Sequence, residues 1–114
     1  MNKLALAIAL ALISTFATAK GNPEKGKEKA QACAACHSVG GDWNKPLMPE
    51  YPKLAGQHYD YLVTALNAYK FGDKTVIGRK NAVMSGQAAA LSKEDIENLA
   101  AYLSGLQGPL HVKR

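Results

Sequence analysis

Of 114 residues only two are cysteine, one is tryptophan and two are phenylalanine. Two cysteines cannot build the disulfide framework of a small exported domain, and Cys33 and Cys36 stand too close to join distant parts of any fold. They are therefore read as chemical rather than structural. No apolar run approaches the about 20 residues of a membrane-spanning helix; the longest, Leu4 to Ile13, has ten. No stretch alternates apolar and polar residues, which removes the half-buried strand from consideration. Internal repeats and low-complexity segments are absent too. Acidic residues are the scarcer charge, 9 Asp+Glu against 14 Lys+Arg. The excess is small, and without a recognition module it does not point to nucleic acid.

Lys3, the apolar run behind it and the small residues Ala17-Thr18-Ala19 have the layout of a secretory signal with its cleavage site. Residues 1–19 are expected to be removed and residues 20–114 to form one domain. Removing 19 of 114 residues leaves 95, and losing Lys3 lowers the formal charge from +5 to +4. A chain of 95 residues buries only about 60–65 % of its unfolded surface, so a bound cofactor at its centre would help it fold.

Three helices are expected. Asn22-Pro23 reads as an N-cap and first helical residue, with Glu24 suited to the positive end of the dipole. Gly26, Ala30 and Cys33 then form a small-residue face over a helix from Pro23 to Ala34. Residues 38–56 carry three glycines and three prolines and read as an ordered loop. Tyr59, Leu62, Leu66 and Tyr69 mark a second helix stopped by Gly72. Residues 73–90, with Gly78 and Gly86, read as a second irregular stretch. Ser92 and Asp95 then resemble a capping box ahead of Ile96, Leu99, Ala100, Leu103 and Leu106, with Gly108-Pro109 as the stop. The fold class is all-α. Two loops this long are usually functional.

Cys33-Ala34-Ala35-Cys36-His37 matches C-x-x-C-H, the attachment signature of c-type haem. Two thiols three positions apart can each add to a vinyl group of the porphyrin, while the adjacent imidazole is delivered to the iron as its proximal ligand. A thioredoxin-like redox pair would need a strand before the motif, and here a helix precedes it. A zinc site would need two further ligands at ordered spacing, and His58 and His111 are scattered.

The sequence resembles the small class I cytochromes c of bacteria, especially the halves of cytochrome c4 and the related cytochromes c553. The resemblance spans residues 26–106. It rests on Gly26, Cys33 to His37, the run Met48-Pro49-Glu50-Tyr51-Pro52-Lys53-Leu54-Ala55-Gly56-Gln57, Tyr61-Leu62, Met84, Leu91-Ser92-Lys93-Glu94-Asp95-Ile96 and Leu99-Ala100-Ala101-Tyr102-Leu103. It implies a fold of three main helices and long loops wrapped around one haem c, the first and last helices crossing at Gly26 and Tyr102. It also implies that the Pro49 carbonyl accepts a hydrogen bond from Nδ1 of His37, fixing the tautomer of the ring.

For the distal ligand the residues themselves offer Met48 and Met84, with His58 and His111 as nitrogen alternatives, and chain reach does not choose between them. The resemblance places the ligand in the loop before the last helix and so implies Met84. The segment Asn81-Ala82-Val83-Met84-Ser85-Gly86 lacks the proline or paired methionines common there. Met48 is read as packing on the haem edge. Trp43, Tyr59, Tyr61 and Tyr69 are candidates for the pocket wall.

With both axial positions filled by protein the iron has no open site, and the remaining chemistry is a one-electron change between ferric and ferrous. The expected function is a periplasmic electron carrier without substrate turnover, monomeric and not inserted in the membrane. Its expected partners are redox proteins, docked through acidic patches that meet Lys70, Lys74, Arg79 and Lys80. The alternatives are a dedicated haem subunit of a periplasmic enzyme and, if Met84 does not bind, an open-iron haem enzyme or gas sensor.

Overall fold

The side chain of Asn22 accepts hydrogen bonds from the amides of Glu24 and Lys25, and Pro23 occupies the first helical position. These residues start helix α1, Pro23–Lys29. The computed structural model describes residues 20–111; the expected signal segment, residues 1–19, lies outside the described residues. Four further helices follow: α2 Gln31–His37, α3 Tyr59–Phe71, α4 Ala82–Ala89 and α5 Lys93–Ser104. Among the described residues no strand forms beyond a single antiparallel bridge between Val39 and Asp42. The all-α expectation stands.

Three helices were expected and five are found among the described residues, for two local reasons. The first expected helix bends at Ala30, whose ψ of −13 brings its carbonyl within reach of the amides of both Cys33, at 2.8 Å, and Ala34, at 3.1 Å. Past that bend the chain stays helical as far as His37, three residues beyond the expected end. The second difference is α4, in the stretch read as irregular. Asn81 caps it, its side chain accepting from the Met84 amide at 3.0 Å. Gly86 costs a helix about 1 kcal/mol relative to alanine, but α4 packs on α3 and buries Ala88 completely.

α3 begins and ends as the sequence indicates, with Gly72 at its C-cap. His58 holds the N-cap position without a side-chain cap bond. The capping box of α5 is complete: Ser92 accepts from the Asp95 amide and Asp95 accepts from the Ser92 amide. α5 ends at Ser104, two residues before Leu106, and His111 in the following tail is half-buried, its amide donating to the Gly108 carbonyl at 3.0 Å.

α1 and α5 cross at Gly26. A Cβ there would overlap the Asn98 carbonyl and lie 2.8 Å from Cβ of Tyr102, so only glycine lets the backbones approach this closely. The crossing is also tied by polar groups: the Asn22 amide donates to Oδ1 of the buried Asn98 at 2.7 Å. Asn98 had no signal in the pattern beyond being a polar residue on the apolar side of α5.

The core beside this crossing is built largely from small residues. Ala30, Ala55 and Ala100 are buried with Trp43, Leu62, Leu99 and Leu103, and the largest fully buried side chains are Ile96 and Leu99. Trp43 meets the ring of Tyr102 edge-on, centroids 6.1 Å apart. Trp43 is therefore part of the buried core.

Candidate functional site

Cys33, Cys36 and His37 all lie on α2, at spacings of three and four residues, which place them on one helix face. Both cysteines are free thiols and half-buried. Burial pushes the Cys33 thiol above its usual pKa, and the neighbouring Cys36 adds to the rise.

His37 ends α2 and is buried. Its Nδ1 lies 2.9 Å from the Pro52 carbonyl. A carbonyl only accepts, so Nδ1 carries the proton and the lone pair is on Nε2. The partner expected from the resemblance was the carbonyl of Pro49, three residues earlier, and the structure corrects it. Residues 48–51 close a tight turn in which the Tyr51 amide donates to the Met48 carbonyl at 3.0 Å. Pro49 occupies the exposed corner of that turn. The chain returns to the imidazole only at Pro52, after the Tyr51 ring has passed His37 with centroids 6.0 Å apart. The loop is anchored to the motif at its start as well, where the Leu47 amide donates to the Cys36 carbonyl at 2.9 Å.

The candidates for a distal ligand are spread out. Met84 is half-buried on α4, and α4 packs on α3 but does not touch α2. Met84 and the motif therefore stand on separate elements. Met48 is exposed on the 48–51 turn. His58 is exposed at the start of α3, and His111 lines a small polar pocket with Lys20, Gly56 and Tyr59, away from the motif.

The remaining aromatic candidates have these surroundings. Burial, with the nearby carboxylates of Glu97 and Asp60, raises the pKa of Tyr59. Tyr61 and Tyr69 flank Arg79, whose guanidinium carbon is 5.4 Å from each ring centroid. One Arg79 nitrogen lies 3.3 Å from Oη of Tyr61. This clamp was not legible in the sequence, because only the folded chain brings residue 79 back over α3.

The donor set fits a covalently held haem. It offers two free thiols and an imidazole with Nε2 available on one face, a thioether on a separate helix, and apolar side chains, Leu47 and Met48, exposed beside the motif. A small all-α domain with this arrangement has the fold and site of a class I c-type cytochrome. The family model described as cytochrome c matches residues 23–107, and the chain belongs to that family. It is 41% identical over 113 residues to cytochrome c4 of Stutzerimonas stutzeri, covering 95% of this chain and 52% of that protein. It is 39% identical over 84 residues to cytochrome c-554(548) of Halomonas halodenitrificans, covering 74% of this chain and 95% of that one. The crystal structure of reduced recombinant cytochrome c4 from Pseudomonas stutzeri superposes with a TM-score of 0.67 at 38% identity, covering 77% of this chain and 47% of that chain. The chain thus spans about half the length of the cytochromes c4 it matches. Its cofactor is covalently bound haem c with iron.

Proposed function

We propose that the chain is a periplasmic carrier of single electrons whose haem is attached through Cys33 and Cys36 and ligated by His37 and Met84. The observation that carries this reading is the His37 to Pro52 hydrogen bond. It fixes the tautomer with Nε2 free, holds the ring plane, and does so on the helix face that presents both thiols. When bound, haem c supplies a reversible ferric–ferrous couple. The protein supplies the rest: the two thiols form the thioethers, and the Pro52 carbonyl orients the imidazole and raises its basicity. Asn81, by capping α4 at Met84, presents the thioether on a fixed backbone. A rigid ligand set of this kind limits reorganisation on electron transfer.

The secretory pattern of the sequence, Lys3 ahead of the apolar run Leu4 to Ile13 and then Ala17-Thr18-Ala19, supports export to the periplasm. No helix among the described residues is long and apolar enough to cross a membrane. Partners of this monomeric carrier are redox proteins. Of the four basic residues read as a steering patch, Lys70 donates to the Leu91 carbonyl and Arg79 is held by the two tyrosines. Lys74 and Lys80 are exposed and make no ion pair among the described residues, so acidic patches on a partner would meet these two.

The test is the visible spectrum of the protein matured with haem attachment. The oxidised protein is expected to show the weak far-red sulfur-to-iron band. Met84→Ala should lose it and Met48→Ala should keep it. Retention of the band in Met84→Ala would remove Met84 from the ligand set.

A further inference from the structure

Past α5 the tail folds back over the loop ahead of α3, and the junction leaves a recess of about 200 Å³ that the electron-transfer site does not use. Two glycines let the chains close. At Gly56, whose φ is +74, a Cβ would lie 2.7 Å from Cβ of His111, and at Gly108 a Cβ would lie 3.0 Å from the Ala55 carbonyl oxygen. The Gly56 amide also donates to the Leu103 carbonyl at 2.9 Å, which ties the same loop to the last turn of α5. Three stretches distant in sequence therefore share one recess: Lys20, residues 56–59, and Ser104 with His111.

The lining has one kind of chemistry. Lys20, Gln57, His58, Tyr59, Ser104 and His111 all carry side chains that can donate a hydrogen bond, and no carboxylate is among them. The Lys20 ammonium stands over the Tyr59 ring, 5.5 Å from its centroid, and makes no ion pair among the described residues. Oε1 of Gln57 is taken by the His58 amide at 2.8 Å, so what that side chain has left to offer is its NH2 group. The Ser104 hydroxyl reaches the Ala101 carbonyl only at 3.4 Å, a long bond that leaves it free to turn. Among the described residues His37 alone has its ring hydrogen-bonded, so the imidazoles of His58 and His111 are both unengaged. The carboxylates that act on Tyr59, those of Glu97 and Asp60, stay outside the lining, and Glu97 faces Lys93 at 3.7 Å. A cation entering this recess would meet an ammonium and no carboxylate, and no group of three or more His, Cys, Asp or Glu able to hold a metal forms among the described residues. An anion would meet donors throughout.

We propose that the recess binds a small inorganic oxyanion of the sulfate or phosphate class, held by the Lys20 ammonium, the imidazoles of His58 and His111 and the Ser104 hydroxyl. The ion bridges the three stretches and so pins the tail against the 55–58 loop, because it binds the closed arrangement and stabilises it by mass action. The site is independent of which residue is the distal haem ligand. Nor does it depend on cleavage after Ala19, which would add the α-ammonium of Lys20 to the same residue.

The test is NMR of the reduced, haem-loaded protein at pH 7, titrated with sodium sulfate and, at matched ionic strength, with sodium chloride. The ring resonances of His58 and His111 should move together along one saturable curve with sulfate and stay in place with chloride. Exchange of the His111 amide, which donates to the Gly108 carbonyl, should slow as sulfate binds. Lys20→Met should raise the sulfate dissociation constant about tenfold and leave the visible spectrum unchanged. His111→Gln, which keeps the Cβ that packs on Gly56, should raise it as well. Ring shifts that follow ionic strength alone overturn the proposal, as does a Lys20→Met variant that titrates like the wild type. Shifts that grow without saturating show only a diffuse ion atmosphere and overturn it too.

Discussion

At the scale of single residues, the orientation of His37 is set by Pro52 rather than by its own side-chain chemistry. The Pro52 carbonyl accepts a hydrogen bond from Nδ1 at 2.9 Å, and the pyrrolidine ring fixes the local φ so that the carbonyl keeps its aim. Pro52→Ala keeps the acceptor but releases the backbone, whereas Pro49→Ala alters an exposed turn corner. A redox titration should therefore find the potential moved more by Pro52→Ala than by Pro49→Ala, and equal shifts would count against the geometry. The motif, with its two thiols and the adjacent imidazole, is legible because C-x-x-C-H is a covalent requirement written in consecutive residues. The carbonyl partner was not, because choosing between Pro49 and Pro52 depends on how the 48–51 turn closes, and prolines close by can each serve as a turn corner.

Between elements, two contacts set how the helices meet. At the α1–α5 crossing, alanine in place of Gly26 would gain up to about 1 kcal/mol of helix propensity. It would also press a methyl group into the Asn98 carbonyl, a clash of about 1–3 kcal/mol or more in a well-packed site. Gly26→Ala should therefore lower the thermal midpoint, and an unchanged or raised midpoint would contradict the packing. At the start of α5, Ser92→Ala removes one half of the capping box and should cost about 1 kcal/mol in denaturant unfolding. Its partner Asp95 is held below the usual carboxylate range, chiefly by the Ser92 amide and then by the Lys29 ammonium. Because the folded pKa is the lower one, this stabilisation is complete above the unfolded value of about 3.9 and is lost as pH falls through the folded value. Asp95→Asn should then be less stable than wild type at pH 7, the gap closing as pH falls below about 4. The helices with long apolar periodicity, α3 and α5, were legible in the sequence. α4 was not, because its eight residues are mostly small and its evident feature, Gly86, reads as a breaker; its Asn81 cap and its packing on α3 outweigh that.

For the molecule as a whole, the question is how the proposed carrier would meet its partners. Lys74 and Lys80 supply the free positive charge of the α3–α4 loop. Reversing both should slow electron exchange with an acidic partner at low ionic strength, with the difference fading as salt approaches about 1 M and the Debye length falls to about 3 Å. An unchanged rate and salt dependence would remove charge steering from the account. The central claim, however, is that protein donors fill both axial positions of the haem iron. The direct measurement is rapid mixing of the reduced protein with carbon monoxide, followed in the visible spectrum. The account predicts no fast binding by the wild type and rapid binding by Met84→Ala. Rapid binding by the wild type would show an open iron and contradict it.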